Sequence, residues 1–363
     1  VTARYLVTGA TGFVGARLTR MILARGDAVT ALARPSPRAR ELRELGVEVV
    51  HGDLATGRGI TEAVRGADRV IHLAATLRAR TAAGFLAVNR DGVARLAGAL
   101  AALRRPPRLV LCSSLAAGPA ISLYGASKRA GEQAARRHAH LVPTAVLRPA
   151  IVYGPGEAAL LPALLPMVRR GLVVKPGYGH RRYGMVYVDD LCAALLAAAE
   201  RGPVLPPAGE HGGILPVAGE RGGVSPPVAG RGPVLSAAGG RDQAGVYPIS
   251  DGNAYAWGDI CRALARAAGC RDPLVLPLPV TAVHAVAALA ELVARGGVPV
   301  LNRDKARELR RPDWTCAPDA AARELGFAPA TTLRRGFEAA LAEPSAPAAP
   351  SAPFAPAAPP TAP

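Results

Sequence analysis

The sequence predicts an α/β fold of the Rossmann type, a doubly wound parallel sheet with a smaller, mainly helical C-terminal substrate lobe. Three observations predict it. Short β-branched or apolar runs alternate with helix-period segments from residue 4 to residue 150. A glycine-rich turn, Thr8-Gly9-Ala10-Thr11-Gly12-Phe13-Val14-Gly15, follows the first run and opens the first helical pattern. Beyond Pro155 the alternation lapses and helical segments dominate.

In chain order, the strand runs are Tyr5–Val7, Ala28–Ala33, Val47–His51, Arg69–Leu73, Leu109–Ser113 and Thr144–Leu147. Between them lie helical patterns near Phe13–Ala24, Arg38–Leu45, Ile60–Val64, Phe85–Leu103 and Leu123–His138. Right-handed crossovers then place helices on both faces of a parallel sheet. Later helices are expected at about 158–170, 188–199, 257–268, 279–294 and 318–324. The stretch Pro279–Ala294 is the most apolar, is interrupted by His284 and Glu291, and is too short to span a bilayer, so it reads as a buried helix.

This organisation gives a dinucleotide-binding domain over 1–155, completed by about 181–200 and 244–250, where Met185–Asp190 and Val246–Ser250 return to it. Residues 156–180 and 251–342 form the substrate lobe. Within 201–243 lies a degenerate Gly/Pro-rich decapeptide repeat (RGPVLPPAGE, HGGILPVAGE, RGGVSPPVAG, RGPVLSAAGG) with no helical or strand period, read as a mobile insert. The Pro/Ala-rich tail, 343–363, reads as disordered.

Hydrophobic residues make up 50% of the 363-residue chain, enough for a sizeable core. The net charge of +17 comes mainly from scattered arginine, as a GC-rich genome produces; no basic stripe with interleaved aromatics points to nucleic acid. The five cysteines are odd in number and widely spaced without a CxxC pair, which argues against a zinc site and a disulfide framework and favours a reducing cytoplasm. Strand-forming residues begin at Arg4, leaving no room for a signal peptide. His138 and His140 flank a helix end and read as partners of its carbonyls, so no metal is expected. In Tyr187-Val188-Asp189-Asp190 an aspartate is expected to cap the following helix while Tyr187 faces the cleft. Trp257 and Trp314 read as packing residues.

The turn must reverse tightly, admit a pyrophosphate to bare backbone, and seat the helix against the strand; Gly9, Gly12 and Gly15 meet these needs. The helix N-terminus then presents free N–H groups to the diphosphate. The spacing G-x-x-G-x-x-G resembles the extended branch of the short-chain dehydrogenase/reductase superfamily, the NAD-dependent epimerase/dehydratase family. Further matches extend to about residue 340: His51-Gly52-Asp53-Leu54, His72-Leu73-Ala74-Ala75, Asn89-Arg90-Asp91-Gly92, Arg148-Pro149-Ala150-Ile151-Val152-Tyr153-Gly154-Pro155-Gly156, Val188-Asp189-Asp190-Leu191 and Glu324-Leu325-Gly326-Phe327. The resemblance implies a nicotinamide cofactor held by Gly9, Thr11, Gly12, Phe13, Val14, Gly15, Asp53, Leu54, Ala74, Ala75, Asn89, Pro149 and Val152. It also implies a small-molecule substrate and a homodimer formed through about 85–103 and 123–138.

The second strand ends Ala31-Leu32-Ala33-Arg34-Pro35-Ser36, without the carboxylate that would hold ribose hydroxyls and repel a 2′-phosphate. Arg34 can pair with such a phosphate, favouring NADP over NAD; its other reading is an ordinary surface arginine. Arg182 has the same two readings, substrate-anion contact or surface residue.

Tyr124-Gly125-Ala126-Ser127-Lys128 sets a phenol and an ammonium at i and i+4 on one helix face. Bringing a tyrosine from a pKa near 10 to about 7 takes about 4 kcal/mol, which a buried ammonium and a cofactor charge can supply. The resemblance implies that Tyr124 is the general base, Ser114 holds the substrate oxygen, and Lys128 also reaches the cofactor ribose. Only nine residues separate Ser114 from Tyr124, fewer than the family usually carries. Gly118-Pro119 can turn this short loop and Ser122 can cap the next helix. The short loop implies an open site, a different substrate, or lost catalysis. Two readings follow: an NAD(P)-dependent oxidoreductase or epimerase acting on a nucleotide-sugar or sterol/flavonol-like substrate, and a non-catalytic NAD(P)-binding scaffold or redox sensor.

Overall fold

The computed structural model describes residues 2–206, 244–294 and 298–343. The expected repeat insert from residue 207 onward and the tail beyond Glu343 lie outside the described residues.

Seven parallel strands build the central sheet: β1 (Arg4–Thr8), β2 (Ala28–Ala33), β3 (Glu48–His51), β4 (Arg69–His72), β5 (Arg108–Cys112), β6 (Thr144–Pro149) and β7 (Val246–Ile249). Across the sheet they run β3-β2-β1-β4-β5-β6-β7, the order expected of a dinucleotide-binding fold. The helices are α1 (Phe13–Ala24), α2 (Pro37–Glu44), α3 (Ile60–Ala63), α4 (Ala82–Asn89), α5 (Asp91–Ala101), α6 (Leu123–Arg136), α7 (Leu160–Arg169), α8 (Val188–Glu200), α9 (Trp257–Ala267), α10 (Val280–Val293), α11 (Arg303–Glu308), α12 (Asp319–Leu325) and α13 (Leu333–Ala342).

Helices cover both faces, so the strands are apolar on both sides. Tyr5 and Val7 of β1 join a core with Leu18 and Ile22 of α1 and Leu191 and Leu195 of α8. Leu6 between them points the other way, into a core with Leu96 and Leu100 of α5. Strand alternation therefore divides one run between two cores. The reversal of strand order falls between β1 and β4, and ligands bind such sheets in the crevice beyond the strands' C-terminal ends at that point.

The structure departs from the sequence reading in four places. The single helix expected over Phe85–Leu103 is two, α4 and α5, broken at Arg90. There the Asn89 carbonyl lies against Gly131 of α6, where an added Cβ would sit 2.1 Å from the oxygen. Met185–Tyr187 pairs with Ile151–Tyr153 in a separate two-stranded sheet, while Val246–Ile249 does join the central one as an edge. Neither aspartate at the start of α8 caps that helix through its side chain. Asp189 instead takes a two-pronged pair from Arg17 of α1 at 2.6 and 2.9 Å, and Asp190 accepts from the Ala330 and Thr331 amides. Tyr187 is buried edge-on against Tyr153.

The fourth departure is α10. It is a helix, as expected, but not a buried one: only Val283 and Ala287 are inside. These two sit one turn apart, so one narrow stripe is covered, with Val280, Ala282, Ala288 and Ala290 half-buried and Ala285, Val286, Leu289, Leu292 and Val293 exposed.

Candidate active site

Thr8, His72 and Cys112 end three adjacent strands, β1, β4 and β5, and the residues of interest gather around them. Gly9 follows Thr8 with φ +76, in the left-handed region. A Cβ there would lie 2.7 Å from the Ala74 nitrogen, so the turn lies directly against the residue after β4. A Cβ on Gly15 would sit 2.1 Å from the Gly9 carbonyl oxygen. Gly12 forms the N-cap of α1, donates its N–H to the Gly9 carbonyl at 2.9 Å, and leaves the helix without a side-chain cap. The turn is therefore bare backbone at a helix N-terminus. That cradle fits a dinucleotide diphosphate.

The other expected cofactor residues are arranged around this turn. Ala74 and Ala75 follow β4, and the Ala74 amide donates to the Thr8 hydroxyl at 3.3 Å. Asn89 is buried and spends its amide on the Thr76 backbone, at 2.8 and 2.9 Å, and on the Ser127 hydroxyl at 2.9 Å. It thus ties the loop after β4 to α6. Asp53 turns the chain after β3, accepting from the Ala55 amide at 2.7 Å, with Leu54 buried behind it. Pro149 ends β6 and Val152 lies in the short strand beyond. The same segment returns to the turn: Pro155 and Gly156 line a cavity of about 240 Å³ with Thr11, Gly12 and Phe13.

Arg34 stands exposed just past β2. The Ser36 hydroxyl caps α2 by accepting from the Ala39 amide at 3.2 Å. Arg38, in the first turn of α2, donates to the Thr11 carbonyl at 3.3 Å and lines the cavity beside the glycine turn. Nothing local in the sequence distinguishes Arg38 among the scattered arginines.

Ser114 and Tyr124 come close enough for the Ser114 hydroxyl to act on the phenol, while the same hydroxyl accepts from the Ala116 amide at 3.2 Å. Lys128, one turn along α6, is buried and donates to the Cys112 carbonyl at 2.8 Å. Burial pushes the Lys128 ammonium down and the Tyr124 phenol up, with Ser114 opposing and Cys112 and Glu308 adding to the rise. Burial is the largest influence on the phenol. Desolvation disfavours the charged form of each group, and the ammonium is turned toward the Cys112 carbonyl. His72 is also buried, bonded through Nδ1 to the Thr8 hydroxyl at 2.8 Å, and burial next to the Lys128 charge pushes it down to about 3. The imidazole is neutral at any physiological pH.

The nine-residue loop closes as anticipated in part. Ser122 does cap α6, accepting from the Gly125 amide at 2.9 Å, and Leu115–Ala117 forms a 3₁₀ turn. What the sequence did not reveal is the contribution of α11. Asp304 accepts from the Leu123 and Tyr124 amides at 2.6 and 3.1 Å, and Glu308 accepts from the Ser122 hydroxyl at 2.8 Å. Two carboxylates thus complement the positive end of the helix that carries Tyr124. Lys305 pairs with Glu308 at 2.5 Å, which keeps that buried acid compensated.

Below the site, Arg148 of β6 grips Glu132 of α6 at 2.9 and 2.5 Å, and Ser113 donates to the same carboxylate at 2.5 Å. Arg182 is exposed in a strand that pairs with Tyr255–Ala256 and Asp313–Trp314. The two tryptophans pack: Trp257 tilts onto Tyr183, and Trp314 lies under Arg311.

The family model described as "NAD dependent epimerase/dehydratase family" matches residues 5–208. Over 316 residues the chain is 35% identical to a ceramide reductase of Caulobacter vibrioides, covering 85% of this chain and 84% of that protein. It is 28% identical over 360 residues to a 4-hydroxy-2-methyl-3-oxo-4-farnesyl-3,4-dihydroquinoline-1-oxide ketoreductase of Stigmatella aurantiaca, covering 93% and 95%. Among solved structures it resembles a UDP-glucose 4-epimerase of Thermotoga maritima with a TM-score of 0.65 at 19% identity, covering 94% and 98%, a likeness of fold.

Proposed function

Because the chain belongs to the NAD dependent epimerase/dehydratase family, and is an NAD(P)-dependent enzyme of the oxidoreductase/epimerase kind, we propose that it reduces a ketone on a lipid-like substrate to the secondary alcohol. The observation that carries this reading is the juxtaposition of Ser114, Tyr124 and buried Lys128, whose ammonium reaches the Cys112 carbonyl, at the strand ends where the glycine turn lies. When bound, a reduced nicotinamide supplies the hydride. Ser114 holds the carbonyl oxygen, and Tyr124 gives it the proton that completes the alcohol. A phenol whose pKa is raised by burial is protonated at neutral pH, the state a proton donor needs. Lys128 binds the cofactor ribose, and Asp304 and Glu308 fix the start of α6 as positioning residues. Asn89 acts through the loop carrying Ala74 and Ala75. The lobe of 156–180 and 251–342 forms the substrate side.

Reduction is favoured over epimerisation because two long-range relatives carry reductase names, one for a ceramide and one for a farnesylated quinoline oxide. Single-turnover mixing of protein, reduced cofactor and a panel of long-chain ketones and nucleotide sugars tests it. Loss of nicotinamide absorbance with the long-chain ketones alone is the expected result. Turnover of a nucleotide sugar, or no oxidation with any ketone, overturns the reading.

For the cofactor, NADP(H) is proposed over NAD(H) on the cationic end of β2, with Arg34 and Arg38 flanking the capped start of α2. Fluorescence titration is expected to show NADPH binding more tightly than NADH at physiological salt. Arg34→Glu should weaken NADPH by about tenfold, the scale of one charged hydrogen bond, while sparing NADH. Tighter NADH binding by the unaltered protein would defeat the assignment.

A further inference from the structure

Fourteen large apolar side chains stay exposed among the described residues, and eight of them fall between residues 274 and 300. That concentration is not the single scattering normal for a protein surface. Strand Leu274–Leu278 leaves Leu274, Leu276 and Leu278 exposed on one face, and Pro279 leads directly into α10. On α10, Val286, Leu289, Leu292 and Val293 form one stripe at helical spacing, with Leu292 83% exposed and Leu289 60% exposed. The outward face of this helix is apolar where a surface helix normally carries charge.

The neighbouring charge is of one sign. The strand paired with Leu274–Leu278 lies within residues 169–182, which hold Arg169, Arg170, Lys175, Arg181 and Arg182 and no acid. Lys175 points at the Tyr178 and Gly179 carbonyls, so its positive charge is not neutralised by a carboxylate. The acids beside the apolar stripe are already matched: Glu291 with Arg303 at 3.5 Å and Asp272 with Arg266 at 3.1 Å. Tyr178, in the loop after the basic strand, is 70% exposed, and Gly177 before it lies against Val280 of α10.

The patch also adjoins the catalytic helix. Arg78, a few residues beyond Ala74 and Ala75, donates to the Val298 carbonyl just past α10 at 3.4 Å. The chain then enters α11, whose Asp304 holds the Leu123 and Tyr124 amides. We infer that the stripe of α10, with the Leu274–Leu278 strand and the basic segment 169–182, docks on the surface of an anionic lipid bilayer and opens the catalytic cleft toward it.

No helix among the described residues is long and apolar enough to cross a membrane, so α10 lies in the interface plane. Apolar side chains enter the acyl boundary while cations meet anionic headgroups, and both contributions are needed for firm attachment. The choice of a bilayer over a protein partner rests on the lipid-ketone reading; the apolar stripe and its basic flank do not.

Co-flotation of the full chain with vesicles of phosphatidylcholine containing anionic phosphatidylglycerol tests this. The chain should float with the anionic vesicles, less so with pure phosphatidylcholine and less at high salt. Leu289→Glu/Leu292→Glu should weaken vesicle binding by at least about tenfold, since two leucines lose their burial. Both positions are exposed, so the variant should keep the thermal midpoint of the unaltered protein. It should also keep turnover of a short water-soluble ketone, which separates loss of docking from loss of the proposed chemistry. Failure of the unaltered chain to float overturns the inference, as does undiminished flotation of the variant. A concentration-dependent dimer in solution that the same substitutions abolish would assign the stripe to a second copy and also overturn it.

Discussion

Tyr124→Phe is expected to lower the turnover number by about two to four orders of magnitude, the range for loss of a positioned proton donor, while changing cofactor affinity less than about twofold. The phenol hydroxyl sits by Ser114, and removing it leaves the ring free to keep its packing against Phe85, 6.2 Å away between centroids. The loss should therefore appear in the chemical step and not in folding. The pH profile provides a second readout with a fixed sign. Reduction uses the protonated phenol, so activity is full below the Tyr124 pKa and falls as pH rises through it. Burial raises that pKa, Ser114 opposes the rise, and the Glu308 charge adds to it. Glu308→Gln removes that charge and should move the alkaline limb to lower pH, whereas a purely structural role for Glu308 would scale the profile without moving it. More than a tenth of the original turnover in Tyr124→Phe would remove Tyr124 from the mechanism.

How much of this was legible in the sequence follows from how local each constraint is. Gly9 and Gly15 could be read because sterics admit nothing larger where the turn meets Ala74 and where the helix meets the Gly9 carbonyl. Tyr124 and Lys128 could be read because i and i+4 share a helix face whatever surrounds them. The electrostatics between them could not, because they depend on burial and on the Cys112 carbonyl that Lys128 reaches. Asp304 and Glu308 lie some 180 residues from the helix they complete, in a six-residue helix with no motif to mark it. The exposure of α10 was hidden for the opposite reason. A helix apolar around most of its circumference has the pattern of a buried one, and only the absence of neighbours distinguishes the two. Asp189 followed the rule for acids at helix starts, yet Arg17 of α1 claimed it.

The largest effect on stability is expected at Arg148. The Arg148–Glu132 pair joins the end of β6 to α6, one turn beyond Lys128, with the carboxylate side chain only 9% exposed. Burial disfavours the Arg148 charge and Glu132 more than restores it, so its pKa is raised. Arg148→Met would leave the Glu132 carboxylate buried with Ser113 as its remaining donor. Stranding a buried charge in this way costs about 3–5 kcal/mol, against less than about 1 kcal/mol for an exposed pair such as Arg262–Asp259. The thermal midpoint should fall by about 6 °C or more in Arg148→Met and by about 1 °C in Arg262→Met. Adding Glu132→Met to Arg148→Met removes the stranded charge, and the double variant should recover at least half of the loss. Turnover should recover less, because the pair also sets the angle at which α6 presents Tyr124 and Lys128 to the strand ends. A midpoint for Arg148→Met within about 2 °C of the unaltered protein, or a double variant less stable than the single one, would show that the pair does not hold α6 to the sheet.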